Sequence, residues 1–434
     1  MLAFMRKPDK DPHPSKRAPR LQAPPPALLG SGEPFVGFDI LEEWKDEKAL
    51  VFWNVLRDCL LWASVPAEKR KILFSQHANE QRAKELSQCS LISVVIRSLK
   101  ILSEVLQSES GTGEEQLATA CRCVAEWADE NSYPRTAISF AQAAAVIQPD
   151  NPTHAYTVGL LCRRNSEYNR AETWFRRTRV LSWRANDPQS HALSWVGLGN
   201  VFIQRGEFTV ARQAHLRALR IAQRRGYWVI KGMALHDLFT IAVEQRNTPE
   251  AERLAHQAAR AYSSSHPKFP ALAHDIATFW MYQGFFRRAL TVFQAVVKLI
   301  TRPDERLVAL SMVCRAAAGV GDLKLFTETW IAVNMAVSRN PTTDRACAAL
   351  LNLAYGAAIL KDWIRAELAA QHALELSAKR GEAEVYACAE QLLVSVKEKS
   401  SPPTLIQPPA ESEILEAADT LARHLVRRLT TRAR

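Results

Sequence analysis

Between Trp195 and Ala218 the apolar and small positions fall into two helical sets. Trp195, Leu198, Gly199 and Phe202 share one helical face, Gly206 and Phe208 mark a tight turn, and Ala211 and Ala218 open a face on a second helix. The pattern recurs along the chain. Ala137, Ala171, Ala211, Ala251, Ala289, Phe326 and Ala366 occupy one position of seven successive copies, at steps of 34, 40, 40, 38, 37 and 40 residues. Upstream in each copy stands an aliphatic residue: Val124, Val158, Leu198, Leu238, Ile276, Val313 and Leu353. The next position is small in Ala125, Gly159, Gly199, Ala277, Cys314 and Ala354, with Phe239 the exception. Small residues there let two helices approach closely while larger neighbours fill the space between pairs.

This spacing resembles the tetratricopeptide repeat family over roughly residues 118–381. Trp195, Leu198, Gly199, Phe202, Ala211 and Ala218 carry the resemblance in the third copy, and Gly159, Ala171 and Phe175 in the second. Phe239, Phe326 and His215 depart from the pattern. The resemblance implies an all-α fold, a right-handed α-solenoid of tandem helix-turn-helix repeats. Steps near 40 imply longer helices, as in the repeat domains of bacterial signalling regulators of the peptide-receptor and maltose-activator kinds. The family's carboxylate clamp for chaperone tails has one counterpart here, Asn200, with Val196 where its lysine would stand. Chaperone-tail binding is therefore not expected.

Outside the repeats the pattern changes. Residues 1–34 are proline-rich, with Pro24, Pro25 and Pro26 in a row, and cannot bury enough surface to order themselves. Residues 35–117 read as helical, a cap or degenerate repeats, beginning with an apolar helix from Asp39 to Val65 that carries Trp44, Trp53 and Trp62. The solenoid spans 118–397, seven repeats and a capping helix from Glu382 to Lys397. A proline-rich linker covers 398–410. Residues 411–434 form an amphipathic helix with Ile414, Ala418, Leu421, Leu425 and Leu429 on one stripe, acids first and arginines last, as the helix dipole favours. That stripe needs a protein surface, in this chain or in a second copy.

The chain has 434 residues and a net charge of +11. Its eight cysteines are scattered without paired CxxC blocks, and Cys121 and Cys123 diverge on a helix, so neither disulfides nor a metal site are expected. Met1–Lys10 lacks a signal-peptide core, and the apolar run 49–65 is interrupted by Asn54, Arg57 and Asp58, so a cytoplasmic protein without a membrane span is expected. No nucleotide loop, nucleophile elbow or HExxH occurs, which leaves no basis for an enzyme or a cofactor.

Two surfaces remain as candidates. His236, Asp237 and Thr240 recur one repeat later as His274, Asp275 and Thr278. Neighbouring residues diverge by about 100° on a helix, which argues for contact with a partner rather than for a metal. With Tyr156, Asn200, Arg315, Asn352 and Tyr355 they are expected on the inner, concave face, a mixed lining that suits an extended peptide or another helix. From Arg163 to Lys231 fourteen basic residues face four acids, most of the net charge. Arg176, Arg177, Arg179, Arg212, Arg217, Arg220, Arg224 and Arg225 fall mainly on second helices and would form an outer basic ridge for nucleic acid or an acidic partner. The nearby Trp174, Trp183 and Trp228 read as repeat core. The leading expectation is a non-catalytic protein- or peptide-binding scaffold. Its rivals are ridge binding, a peptide-sensing regulator without a DNA-binding domain of its own, and a membrane-surface adaptor held by the C-terminal helix, through which a homo-oligomer is the further partner expectation.

Overall fold

The computed structural model describes residues 38–433 except 45, 47, 67, 71–73, 75, 89–92, 108–112, 264–265, 267, 301–302, 340–344 and 401–411. The proline-rich start and nearly all of the linker lie outside the described residues. Every regular element described is an α-helix, so the chain is all-α. It packs as two compact units, residues 1–201 and 202–434.

The seven turns that join the two helices of a pair share one construction, which also ends other helices at Asn186, Gly226, Gly381 and Lys399. A single residue takes a left-handed backbone, at Ser132, Ser166, Gly206, Arg246, Gly284, Gly321 and Lys361, with φ of 65°, 62°, 75°, 55°, 84°, 83° and 61°. The next N–H then reaches back five residues to a helix carbonyl: Tyr133 to Ala128, Glu167 to Cys162, Glu207 to Phe202, Asn247 to Ala242, Phe285 to Trp280, Asp322 to Ala317 and Asp362 to Ala357, all at 2.8–3.0 Å. Such a closure satisfies a carbonyl that the helix end would otherwise leave bare. The left-handed residues recur at steps of 34, 40, 40, 38, 37 and 40, the same steps as the small positions. After three of these turns a side chain caps the second helix: Asn247 accepts from Glu250 N, Asp322 from Leu325 N and Asp362 from Arg365 N.

In the first unit the repeats begin with helices Glu114–Glu130 and Pro134–Ile147. The expected helix from Asp39 to Val65 is broken into Phe38–Glu43 and Lys48–Ser64. The reason lies at the break, where Trp44 stacks on Tyr133 at 4.0 Å and on Phe52 at 5.0 Å and donates its Nε1–H to Thr136 Oγ1 at 2.9 Å. Glu43 accepts from the N–H groups of Arg135 and Thr136 at 2.9 and 2.8 Å, capping a helix whose own N-cap, Tyr133, supplies no side-chain acceptor. Helices Phe38–Glu43 and Lys48–Ser64 thus pack against helix Pro134–Ile147. Further along, Phe175 fills the space beside Gly159 and Gly197, where a Cβ would stand 2.8 and 2.5 Å from its ring.

In the second unit the first helices of successive pairs are Trp228–Glu244, Phe269–Tyr282, Pro303–Val320 and Ala346–Ile359, and they pack on one another in order. Their partners Thr248–Ala261, Phe286–Val297, Leu323–Arg339 and Trp363–Arg380 form the other layer. Helix Ala383–Lys397 follows and covers the last pair. The C-terminal helix Ser412–Ala433 docks chiefly on Thr248–Ala261 and Phe286–Val297, in the second-helix layer. Ala418, Leu421, Leu425 and Leu429 are buried there, while the side chain of Ile414 lies outside the described residues. Arg428 pins the helix by donating to the carbonyls of Ala259 at 2.6 Å and Tyr262 at 2.5 Å and by lying 4.1 Å over the Phe269 ring. These four members of the apolar stripe are therefore covered by this chain's own helices.

Two tests follow from this packing. A non-glycine residue in the left-handed region costs about 1–2 kcal/mol. Lys361→Gly should accordingly raise stability by about 1 kcal/mol and Gly284→Ala lower it by a similar amount, both read by denaturant unfolding. Leu425→Asp should free residues 412–433 to proteolysis at a cost of about 2–3 kcal/mol in docking, with the helical signal of the rest retained.

Candidate partner-binding face

The first-helix face of the second unit carries the recurring His-Asp-Thr set. Both threonines turn back on their own helix, Thr240 Oγ1 donating to His236 O at 3.3 Å and Thr278 Oγ1 to His274 O at 2.9 Å. Each aspartate instead reaches across to another helix. Asp275 Oδ2 meets His236 Nε2 at 2.8 Å on the preceding first helix, and its Oδ1 meets its neighbour His274 Nδ1 at 3.3 Å. Asp237 Oδ2 lies 3.5 Å from Nδ1 of His215, a fully buried residue on helix Phe208–Arg225. Burial opposes the charge on Asp275, but the bonds from His236 and His274 outweigh it and hold the carboxyl below the usual range. Among the described residues no three His, Cys, Asp or Glu side chains converge as metal ligands.

Tyr262 completes this cluster and was not singled out by the sequence pattern. It is buried, stacks on His266 at 4.5 Å, meets His236 edge-on at 6.4 Å, and occupies the space that Gly232 leaves free. Burial, with Asp237 and Asp275 nearby, pushes its phenol above the ordinary range. Beside His274 and Asp275 opens a cavity of about 570 Å³, whose wall includes Lys268, Glu305, Arg345 and Arg432.

The remaining residues expected on the concave lining divide in two. Tyr156 and Asn200, in the first unit, are half-exposed. Arg315, Asn352 and Tyr355 are buried instead of presented, Arg315 at 7% exposure. The physical reason is stacking. The Arg315 guanidinium lies 4.1 Å over Tyr355 and 5.2 Å over Tyr282, and its Nη1 donates to Asn352 Oδ1 at 3.4 Å, while Asn352 Nδ2 donates to Ser311 Oγ at 3.2 Å. Burial lowers the pKa of this guanidinium, and the hydrogen-bonded neighbours at these distances are neutral. The group is a buried polar cluster joining helices Pro303–Val320 and Ala346–Ile359.

The ridge is also thinner than its arginine count. In the first unit Arg177 is buried with its Nη2 on Pro149 O at 2.7 Å, Arg176 pairs with Glu172, and Arg179 lies 4.8 Å over Trp195. In the second unit Arg212 is held by both oxygens of Glu250. Arg217, Arg220, Arg224 and Arg225 are exposed, as is Arg176 beside its partner Glu172. Trp174 is core as expected, but Trp183 is 63% exposed and Trp228 66% exposed, so two of the three tryptophans read as core belong to the surface.

No family model matches the chain, and no curated protein matches it. Among solved structures it is similar to the TPR2AB domain of yeast Sti1 in a pHSP90 complex, at 14% identity over 65% of this chain and 99% of that one, with a TM-score of 0.25. It is also similar to the Rap conjugation gene regulator of plasmid pLS20 in complex with the Phr* peptide, at 13% identity over 86% and 96% with a TM-score of 0.36. A Rap protein complexed with Competence and Sporulation Factor follows at 8% identity, 84% and 98% coverage and a TM-score of 0.33. The repeat architecture of the present chain rests on its own turns and helix pairs. Among the described residues no helix is long and apolar enough to cross a membrane.

The Asp275 bridge has a pH signature. Because its folded pKa is depressed, the stability that it contributes is present above the unfolded carboxylate value of about 3.9 and is lost as pH falls below it. Asp275→Asn should lower the melting temperature at pH 7 and flatten the loss of stability below about pH 4. An unchanged acid limb in thermal melts would show that the bridge does not hold the two helices together.

Proposed function

We propose that the protein is a non-catalytic scaffold that binds a peptide or a protein segment along the first-helix face. The observation that carries this reading is the arrangement of partly buried His236, Asp237, Thr240, His274, Asp275 and Thr278 on successive first helices, with His274 and Asp275 lining a cavity. Polar groups repeated along such a face suit a peptide backbone, whose N–H and C=O groups need partners at intervals. Its helix pairs support the same reading. A peptide-sensing regulator is the narrower form of this reading.

A second reading rests on a different observation. Arg217, Arg220, Arg224 and Arg225 are exposed near the exposed end of helix Trp228–Glu244, where Lys231 Nζ lies 5.3 Å from the Trp228 ring. Cations beside an accessible indole suit an acidic partner or nucleic acid.

Selection of peptides from a displayed random library on the full chain separates the two. Selected peptides should lose at least about tenfold in affinity to the double variant His236→Ala/His274→Ala. They should retain it with Arg220→Glu/Arg224→Glu and tolerate moderate salt. If binding survives the histidine variant and disappears with the arginine reversals, the ridge is the working surface and the first-helix reading is wrong.

A further inference from the structure

The docked C-terminal helix borders a second site that neither surface above explains. Between it and the start of helix Phe286–Val297 lies an open cleft of about 1000 Å³, with Arg287 and Arg288 on one wall and Arg423 and Arg427 on the other. Among the described residues Asp419 is the only acid on its lining. That carboxylate is already committed, since Asp419 Oδ1 accepts from Arg288 Nε at 2.7 Å and lies 2.6 Å from Arg288 Nη2. Arg288 is itself 8% exposed and lies 4.7 Å over Phe285, which fixes the direction of this ion pair.

The lining thus carries a surplus of three positive charges in one cleft. Arg287, Arg423 and Arg427 are exposed, and Arg423 contacts only its own helix, through Asp419 O at 3.4 Å and Thr420 Oγ1 at 3.3 Å. Like charges brought face to face across a docking surface oppose the docking, and an anion between them reverses the sign of that effect. The backbone adds to it. Helix Phe286–Val297 begins in the cavity wall with no side-chain cap and no acid in its first turn, so the positive end of its dipole is uncompensated. Phe286 and Val426 supply an apolar part of the lining.

We infer that this cavity binds a small soluble ligand bearing clustered phosphate groups, held between Arg287 on the body and Arg423 and Arg427 on the C-terminal helix, and that its binding fastens that helix. Clustered phosphates match several guanidinium forks at once, which a single carboxylate does not. The volume of the cleft is that of a small-ligand site. A nucleic-acid track would instead extend its cations along a line, as the arginines of helix Phe208–Arg225 do. The inference stands apart from the peptide-binding reading, because the cleft shares no residue with the first-helix set.

Sodium tripolyphosphate is the probe, titrated calorimetrically into the full chain at low salt, with hydrogen exchange as the second readout. One equivalent should bind, and amide exchange in 412–433 should slow at least about threefold. Arg423→Glu/Arg427→Glu should weaken binding at least about tenfold while leaving the melting temperature of the unliganded protein unchanged or raised, since both residues are exposed and face like charges. Arg220→Glu/Arg224→Glu should leave it intact. No binding of tripolyphosphate overturns the inference. So does equal loss in both variants, which means diffuse attraction by net charge, and so does binding of a single-stranded oligonucleotide without tripolyphosphate.

Discussion

A left-handed residue followed by a backbone bond reaching back five positions closes seven first helices of this chain, and the rest of the structure depends on it. The bond satisfies a carbonyl at a helix end and reverses the chain within a few residues, so the next helix starts at a fixed phase. Fixed phase is what lets Ala137, Ala171, Ala211, Ala251, Ala289 and Ala366 fall at equivalent buried places despite copies of unequal length. It also places His236 and Asp275, one repeat apart, within hydrogen-bond reach of one another.

Much of this was legible because a repeat multiplies its own signal. The aliphatic residue recurs in every copy and a small residue follows it in all but one, where Phe239 stands, and the turn steps equal the steps between these positions. The chemistry of the turns was legible only in part. Gly206, Gly284 and Gly321 announce a left-handed turn, but Ser132, Ser166, Arg246 and Lys361 occupy the same conformation without a compositional cue. The closing bond and the helix packing impose that backbone on them. The break at Trp44 was illegible for a similar reason, because its stack on Tyr133 joins residues far apart in sequence.

The candidate site shows where helical phase stops being informative. Phase assigns a residue to a face of a helix and says nothing of how far its side chain lies from water. Arg315 sits on the first-helix layer, yet two tyrosines sandwich it beneath the surface. Trp228 was assigned to the core because it is large and apolar, yet it stands at the very start of its helix, where no preceding turn covers it. Tyr262 lies just past the end of a second helix, outside any first-helix periodicity, and still completes the His236 cluster.

Charge divides the arginines more sharply than sequence position does. Those that meet a carboxylate, a carbonyl or a ring are fixed parts of the fold: Arg212 on Glu250, Arg177 on Pro149 O, Arg428 on Ala259 O and Tyr262 O. Arg428 does at the end of helix Thr248–Ala261 what a terminal lysine or arginine does within its own helix, supplying a cation to bare carbonyls. A helix that must bring such a cation to dock also brings its neighbours, and Arg423 and Arg427 are carried to the wall where Arg287 already stands. The apolar stripe and Arg428 hold the helix in place against that repulsion. The stability of its docking is thus set by a balance in which apolar burial is fixed and the electrostatic part is open to whatever anion the solution supplies.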